Sequence, residues 1–245
     1  FISTGSPGGA YQLYGERYAQ LLAREKITVK TLTSSGSVEN LTRLADPKSD
    51  VSVAFVQGGV GNAEKYRGLM TLAALYYESL WVFYRGEREW KLLTDFTGKR
   101  VAIGPEGSGT RALALTLARV SGVADRVKEY LPLGGMEAAD ALISGKIDAA
   151  VFVVGPDAAI VQRLLHAPGV RLMSLSHAEG LARRFPYLAT VTLPRGVVDF
   201  ARDLPPQDTK MVATTAYLVA RDDFHPALIS VLLQAAVRGI GRAHV

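Results

Sequence analysis

Apolar positions fall into short runs separated by glycine-rich or polar turns. Ile2-Ser3 reads as the end of a strand, and the turn after it opens into an amphipathic helical segment from Ala10 to Arg24. Ile27 to Leu32 alternates apolar and polar residues as a half-buried strand does; the turn TSSGS then leads into a helix over Val38 to Ala45. Val51 to Val56 predicts the next strand, and the aromatic-rich Leu72 to Tyr84 predicts one or two more. After a charged stretch, Glu87 to Lys99, the order repeats: a strand at Arg100 to Ile103, a glycine loop, and a helix from Arg111 to Ser121. A helix over Met136 to Ser144 is closed by Gly145, and a Val/Ala-rich strand covers Asp148 to Val154. Gly155-Pro156 introduces another helix, followed by strands at Val170 to Leu175, Ala189 to Leu193 and Met211 to Ala220, and a closing helix from Pro226 to Arg238.

This succession predicts an α/β architecture with largely parallel sheets. A chain of 245 residues has room for two lobes of about 100–120 residues each. The expected division puts residues 1–85 and 194–245 in lobe one and residues 86–193 in lobe two, with two chain crossings.

Composition narrows the function classes. An apolar fraction of 48% supports a globular core, and the formal charge of +5 is mild. The basic residues are scattered, so no nucleic-acid patch is expected, whereas an anionic ligand or surface is compatible. The absence of cysteine excludes a disulfide framework, a thiolate metal site and a cysteine nucleophile. The chain starts at Phe1 with no basic segment followed by an apolar one, which reads as a mature or trimmed form whose export signal or anchor is out of view. The longest apolar run, Leu69 to Tyr84, is interrupted by Glu78 and falls short of a bilayer span. A soluble monomer without cofactor or metal is expected.

Loops of one chemistry occur before three helices: TGSPGGAY (Thr4 to Tyr11), TSSGSVEN (Thr33 to Asn40) and GPEGSGTR (Gly104 to Arg111). Their glycines allow close backbone approach, and their hydroxyls can cap a helix or bond a ligand. A helix N-terminus presents N–H donors and a partial positive charge to a carboxylate or phosphate. Three such loops facing one crevice would hold an anion without a lysine or a metal. A nucleotide fits poorly. GPEGSGTR has the glycine spacing of a phosphate loop, but Thr110 and Arg111 stand where lysine and Ser/Thr are needed. There is no GxSxG or HExxH, and His166, His177, His225 and His244 form no cluster and read as solvated. Asp222-Asp223 and Glu87/Glu89 read the same way.

At these residues the chain resembles the TAXI-type solute-binding proteins, extracytoplasmic receptors of one branch of the TRAP transporters. The resemblance rests on TGSPGGAY, SSGSVEN, VAFVQ, FTGKRVAIGPEGSGT and EAADALISGKIDA, and covers roughly Phe1 to Leu233. It implies a two-lobed type II periplasmic-binding-protein fold with a ligand cleft between lobes, a small carboxylate ligand such as an acidic amino acid or dicarboxylate, and a TRAP-type permease as partner. It also implies a periplasmic or extracytoplasmic location. Carried onto this chain, Thr4, Gly5, Ser6, Gly9 and Tyr11, then Ser35, Gly36, Ser37, Asn40 and Gln57, contribute from lobe one. Ser108, Gly109 and Thr110 close from lobe two, with Phe152 and Gly155 at a neighbouring strand end. Tyr76 and Tyr77 are candidates either for the cleft wall or for the core. Gly58-Gly59 replace the family's Ser-Asp after VAFVQ, which favours a simple carboxylate over an amino acid, and Val197-Val198 replace an expected aromatic. A ligand-sensing domain of a membrane-tethered regulator is the alternative. An enzyme would need Glu106 or Glu78 as acid or base, and each reads as structural or solvated.

Overall fold

The structure, a computed structural model, describes residues 1–62 and 64–239; His244 lies outside the described residues. In chain order the elements are β1 (Ile2–Ser3), α1 (Ala10–Arg24), β2 (Thr31–Leu32), α2 (Ser37–Ala45), β3 (Val53–Gln57), β4 (Leu69–Arg85), β5 (Arg100–Ala102) and α3 (Gly109–Val120). They continue with β6 (Glu129–Leu131), α4 (Gly135–Ile143), β7 (Ala149–Val154), α5 (Ala159–Leu165), β8 (Val170–Leu172), α6 (Ala178–Arg184), β9 (Leu188–Leu193), β10 (Thr209–Arg221) and α7 (Pro226–Gly239).

The chain forms two compact units. The first comprises Phe1–Tyr77, Gly107–Gly109 and the chain from Thr215 onward. In it β1 runs parallel to both β2 and β3, and β3 runs antiparallel to the far half of β10, with Val53 opposite Ala220 and Gln57 opposite Ala216. The uninterrupted apolar run of β3 follows from burial on both faces. Val53 and Phe55 join Tyr11, Tyr18 and Leu22 of α1 and Leu232 of α7 in one cluster. Ala54 and Val56, on the opposite face, pack with Leu41 and Leu44 of α2. Strand β10 divides the same way, with Leu218 in the first cluster and Val219 in the second.

The second unit comprises Glu78–Glu106 and Thr110–Thr214. There β5 is parallel to β6 and β7, β4 is antiparallel to β7 and β8, and the near half of β10 is antiparallel to β9. Strand β7 alternates between two cores. Val151 and Val153 join Leu113 and Leu117 of α3, whereas Ala150 and Phe152 join Leu142 of α4 and Leu164 of α5.

Several expectations need correcting. The sheets are mixed, not largely parallel, because β4, β8, β9 and β10 all run antiparallel to paired neighbours. The segment Ile27 to Leu32 pairs only at Thr31–Leu32, since its partner β1 is itself two residues long. Ile27 and Val29 still pack onto the first unit's core. Leu69–Arg85 is one strand. The division between units falls inside β4, at Tyr77/Glu78, and inside β10, at Thr214/Thr215, not in loops near residues 85 and 194.

Candidate functional site

In the first unit two glycine-rich turns lie together at the carboxyl ends of β1 and β2. The Ser34 N–H donates to the Gly5 carbonyl at 3.1 Å, and the Ser34 hydroxyl donates to the Thr4 carbonyl at 3.1 Å. Asn40, fully buried, donates through Nδ2 to the carbonyls of Thr4 (2.6 Å) and Phe55 (2.7 Å) and accepts from Ser3 Oγ at 2.6 Å. An amide is suited to this position, since it offers two donors and an acceptor without a charge to desolvate. Thr4 is also fully buried, and both its N–H and its hydroxyl donate to the Leu32 carbonyl.

The third loop reaches the same place through Gly107–Gly109, which belongs to the first unit and not to the expected second lobe. The Gly107 carbonyl accepts from the N–H groups of Val38 (3.0 Å) and Glu39 (3.3 Å), in the first turn of α2. Buried Gln57 donates through Nε2 to the Gly109 carbonyl at 3.2 Å, and its own N–H donates to Ser37 Oγ at 2.8 Å. This approach requires glycine twice. Gly36 has φ +129°, and a Cβ there would lie 3.3 Å from Ser108 Cα; a Cβ on Gly109 would lie 2.5 Å from Gln57 Oε1.

Sequence reasoning missed the residues behind the turns: Ser3, Ser34, Glu39 and Arg43. The available signal was Glu39 at the third helical position with Arg43 four residues on. Glu39 Oε2 accepts the Ser35 N–H at 2.6 Å, and Arg43 pairs with its other oxygen. Partial burial pushes the Glu39 carboxyl up, but the Ser35 N–H and the Arg43 charge outweigh it, and the group is held below its ordinary range.

The other candidates are placed as follows. Ser6 is exposed, and the Gly9 N–H donates to the Ser6 carbonyl. Tyr11 stacks on Phe55 with ring centroids 5.4 Å apart, in the first core. Tyr76 is half-buried against that core and Tyr14, whereas Tyr77 is 49% exposed. In the second unit the Thr110 hydroxyl accepts the Val153 N–H at 3.3 Å, and Phe152 packs edge-on to Phe83 in the core. No atom comes within 4 Å of a Cβ built on Gly155. Glu106 is exposed, as a solvated acid should be; Glu78 is buried, not solvated. His166, His177 and His225 are not buried. Among the described residues there is no metal-binding cluster of His, Cys, Asp or Glu, and no helix is long and apolar enough to cross a membrane.

Two α/β units sharing the long strands β4 and β10, each of which runs from one unit into the other, define the fold of the type II periplasmic binding proteins. Residues 2–236 match the NMT1-like family, and the chain belongs to it. Solved structures with this fold include a protein from Bordetella bronchiseptica RB50, 18% identical with a TM-score of 0.64, over 97% of this chain and 69% of that one. The CcmR regulatory domain from Synechocystis PCC6803, in complex with 2-PG, is 14% identical (TM-score 0.62; 99% of this chain, 97% of that one). An ancestral arginine-binding protein bound to arginine is 15% identical (TM-score 0.58; 97% and 90%).

Proposed function

We propose that this protein is a TAXI-type extracytoplasmic receptor that captures a small carboxylate for a TRAP-type permease and carries out no chemistry. The observation that carries the reading is the meeting of three Gly/Ser turns in the first unit, backed by the uncharged buried side chains of Ser3, Thr4, Ser34, Ser37, Asn40 and Gln57. Such a set stabilises an anion by fixed dipoles and hydroxyls, so a carboxylate can bind and leave without breaking a strong ion pair. The family membership and the arginine-bound neighbour support a small-molecule ligand.

A panel of acids, including L-glutamate, succinate and 2-oxoglutarate, tests the reading by thermal shift. A ligand at a thousandfold excess over its Kd adds about 4 kcal/mol to stability. A panel that leaves the melting temperature unchanged throughout removes the proposal. The second reading, a ligand-sensing regulatory domain, is favoured by the CcmR neighbour. An output domain in the full-length product would establish it, and a cleaved leader would establish the transport receptor.

A further inference from the structure

Behind the turns of the first unit runs a chain of polar contacts that ends in a cation. Arg43 Nη1 donates to Ser3 Oγ at 2.9 Å and to the Thr33 carbonyl at 2.8 Å, while Nη2 donates to Glu39 Oε1. The Ser3 hydroxyl in turn donates to Asn40, and Asn40 holds the Thr4 carbonyl. The second Glu39 oxygen holds the Ser35 N–H. One guanidinium therefore joins β1, the start of the Thr33 turn and the first turn of α2. Ser3 and Asn40 are fully buried.

We infer that Arg43 is a positioning residue for acid capture, acting on the turns through Ser3 and Glu39; this rests on the reading that the first unit binds a carboxylate. Two physical effects converge on it. The planar fork of donors fixes three acceptors at once, which a lysine cannot do with the same geometry from a single nitrogen. The charge also cancels that of Glu39, a carboxylate already resident at the Ser35 amide. Without Arg43 that carboxylate faces any incoming acid uncompensated, and like charges repel. An ordinary helical ion pair four residues apart would have only the contact to Glu39; the bonds to Ser3 and Thr33 set this one apart.

Three proteins test the inference: the wild type, Arg43→Met, and Arg43→Met/Glu39→Gln. Without ligand, amide hydrogen exchange is followed by NMR at Ser34 and Ser35. With ligand, succinate and L-glutamate are titrated calorimetrically. Arg43→Met should speed exchange at both amides about tenfold or more, leaving β5 and β7 unchanged. It should weaken the acid that the wild type binds by about tenfold, and adding Glu39→Gln should restore about half of that loss on a logarithmic scale. A merely structural arginine would show no rescue on removal of the Glu39 charge. Unchanged exchange in Arg43→Met, or a double variant that binds no tighter than the single, overturns the inference. If the wild type binds neither acid but exchange still rises, the brace stands and the carboxylate reading fails for these acids. Should Arg43→Met not fold, Arg43→Lys replaces it. Faster exchange at Ser34 with an affinity loss under about threefold is then expected, and unchanged exchange refutes the role.

Discussion

Gly15→Ala should destabilise the protein, although helix propensity argues the opposite. Gly15 lies buried in the middle of α1, where alanine is worth about 1 kcal/mol more than glycine. A Cβ at this position would sit 2.4 Å from Thr4 Cγ2 and 3.5 Å from Thr31 Cγ2. Thr4 has little freedom to yield: it is β-branched, fully buried, and tied to the Leu32 carbonyl by both N–H and hydroxyl. Overpacking of a fixed contact costs about 1–3 kcal/mol, and with Thr4 pinned the upper part of that range applies. The net loss is about 1–2 kcal/mol, or about 2–8 °C in melting temperature for a chain of this size. Urea unfolding of Gly15→Ala, Thr4→Ser and the double variant gives the coupling. Thr4→Ser keeps the hydroxyl and removes the methyl, which makes room for the new methyl on α1, so the double variant should exceed Thr4→Ser in stability. A higher melting temperature for Gly15→Ala alone, or the same loss in the Thr4→Ser background, would refute the close-approach explanation.

Gly109→Ala should cost about 1–2 kcal/mol despite its place at the start of α3, because the new Cβ displaces the buried Gln57 amide from the Gly109 carbonyl. It should weaken acid binding as well, and calorimetry showing wild-type affinity would count against Gln57 as part of the site. Phe152→Ala should destabilise by about 3–5 kcal/mol through a cavity beside Phe83, and denaturant unfolding with a loss below about 1 kcal/mol would contradict the core placement. The Arg100 side chain hydrogen-bonds Asp148 and holds its carboxyl below the ordinary range. A depressed folded pKa makes this contribution present above the ordinary unfolded value of about 3.9 and lost as pH falls through the folded value. The stability gap between wild type and Asp148→Asn should therefore shrink on acidification below about pH 4, and a gap that persists unchanged to about pH 2 would be inconsistent with it.

The elements that were legible are those whose periodicity reflects a local property. The apolar runs read as strands at Val51 to Val56 and Asp148 to Val154 are found as Val53–Gln57 and Ala149–Val154, and the structure adds that both are covered on both faces. Strand direction was not legible, since pairing with β10 or β4 is decided far along the chain and leaves no trace in the pattern of β3 or β7. The strand Glu129–Leu131 and the helix Ala178–Arg184 escaped because three and seven residues, partly exposed, carry too few periods to register. The site divides in the same way. The Gly/Ser turns announce themselves by composition, whereas Arg43 reads as an ordinary helical surface arginine until its two further acceptors are seen.

The turns are not interchangeable, and this bears on how an acid would be neutralised in the first unit. Counting helix N-termini from the sequence treats each as a set of open donors. At α2 the Val38 and Glu39 N–H groups are occupied by the Gly107 carbonyl, and the Ser35 N–H by Glu39. These bonds leave the α2 macrodipole in place, so that helix contributes a field more than it contributes hydrogen bonds. Helix α1 differs: Gly9 caps it without a side-chain hydrogen bond, and the nearby Gly8 N–H is satisfied by the uncharged amide oxygen of half-buried Gln12. If the first unit binds an acid as proposed, the donor able to exchange an uncharged side-chain partner for a ligand oxygen lies in TGSPGGAY, while TSSGSVEN and Gly107–Gly109 are already joined to each other through the Gly107 carbonyl.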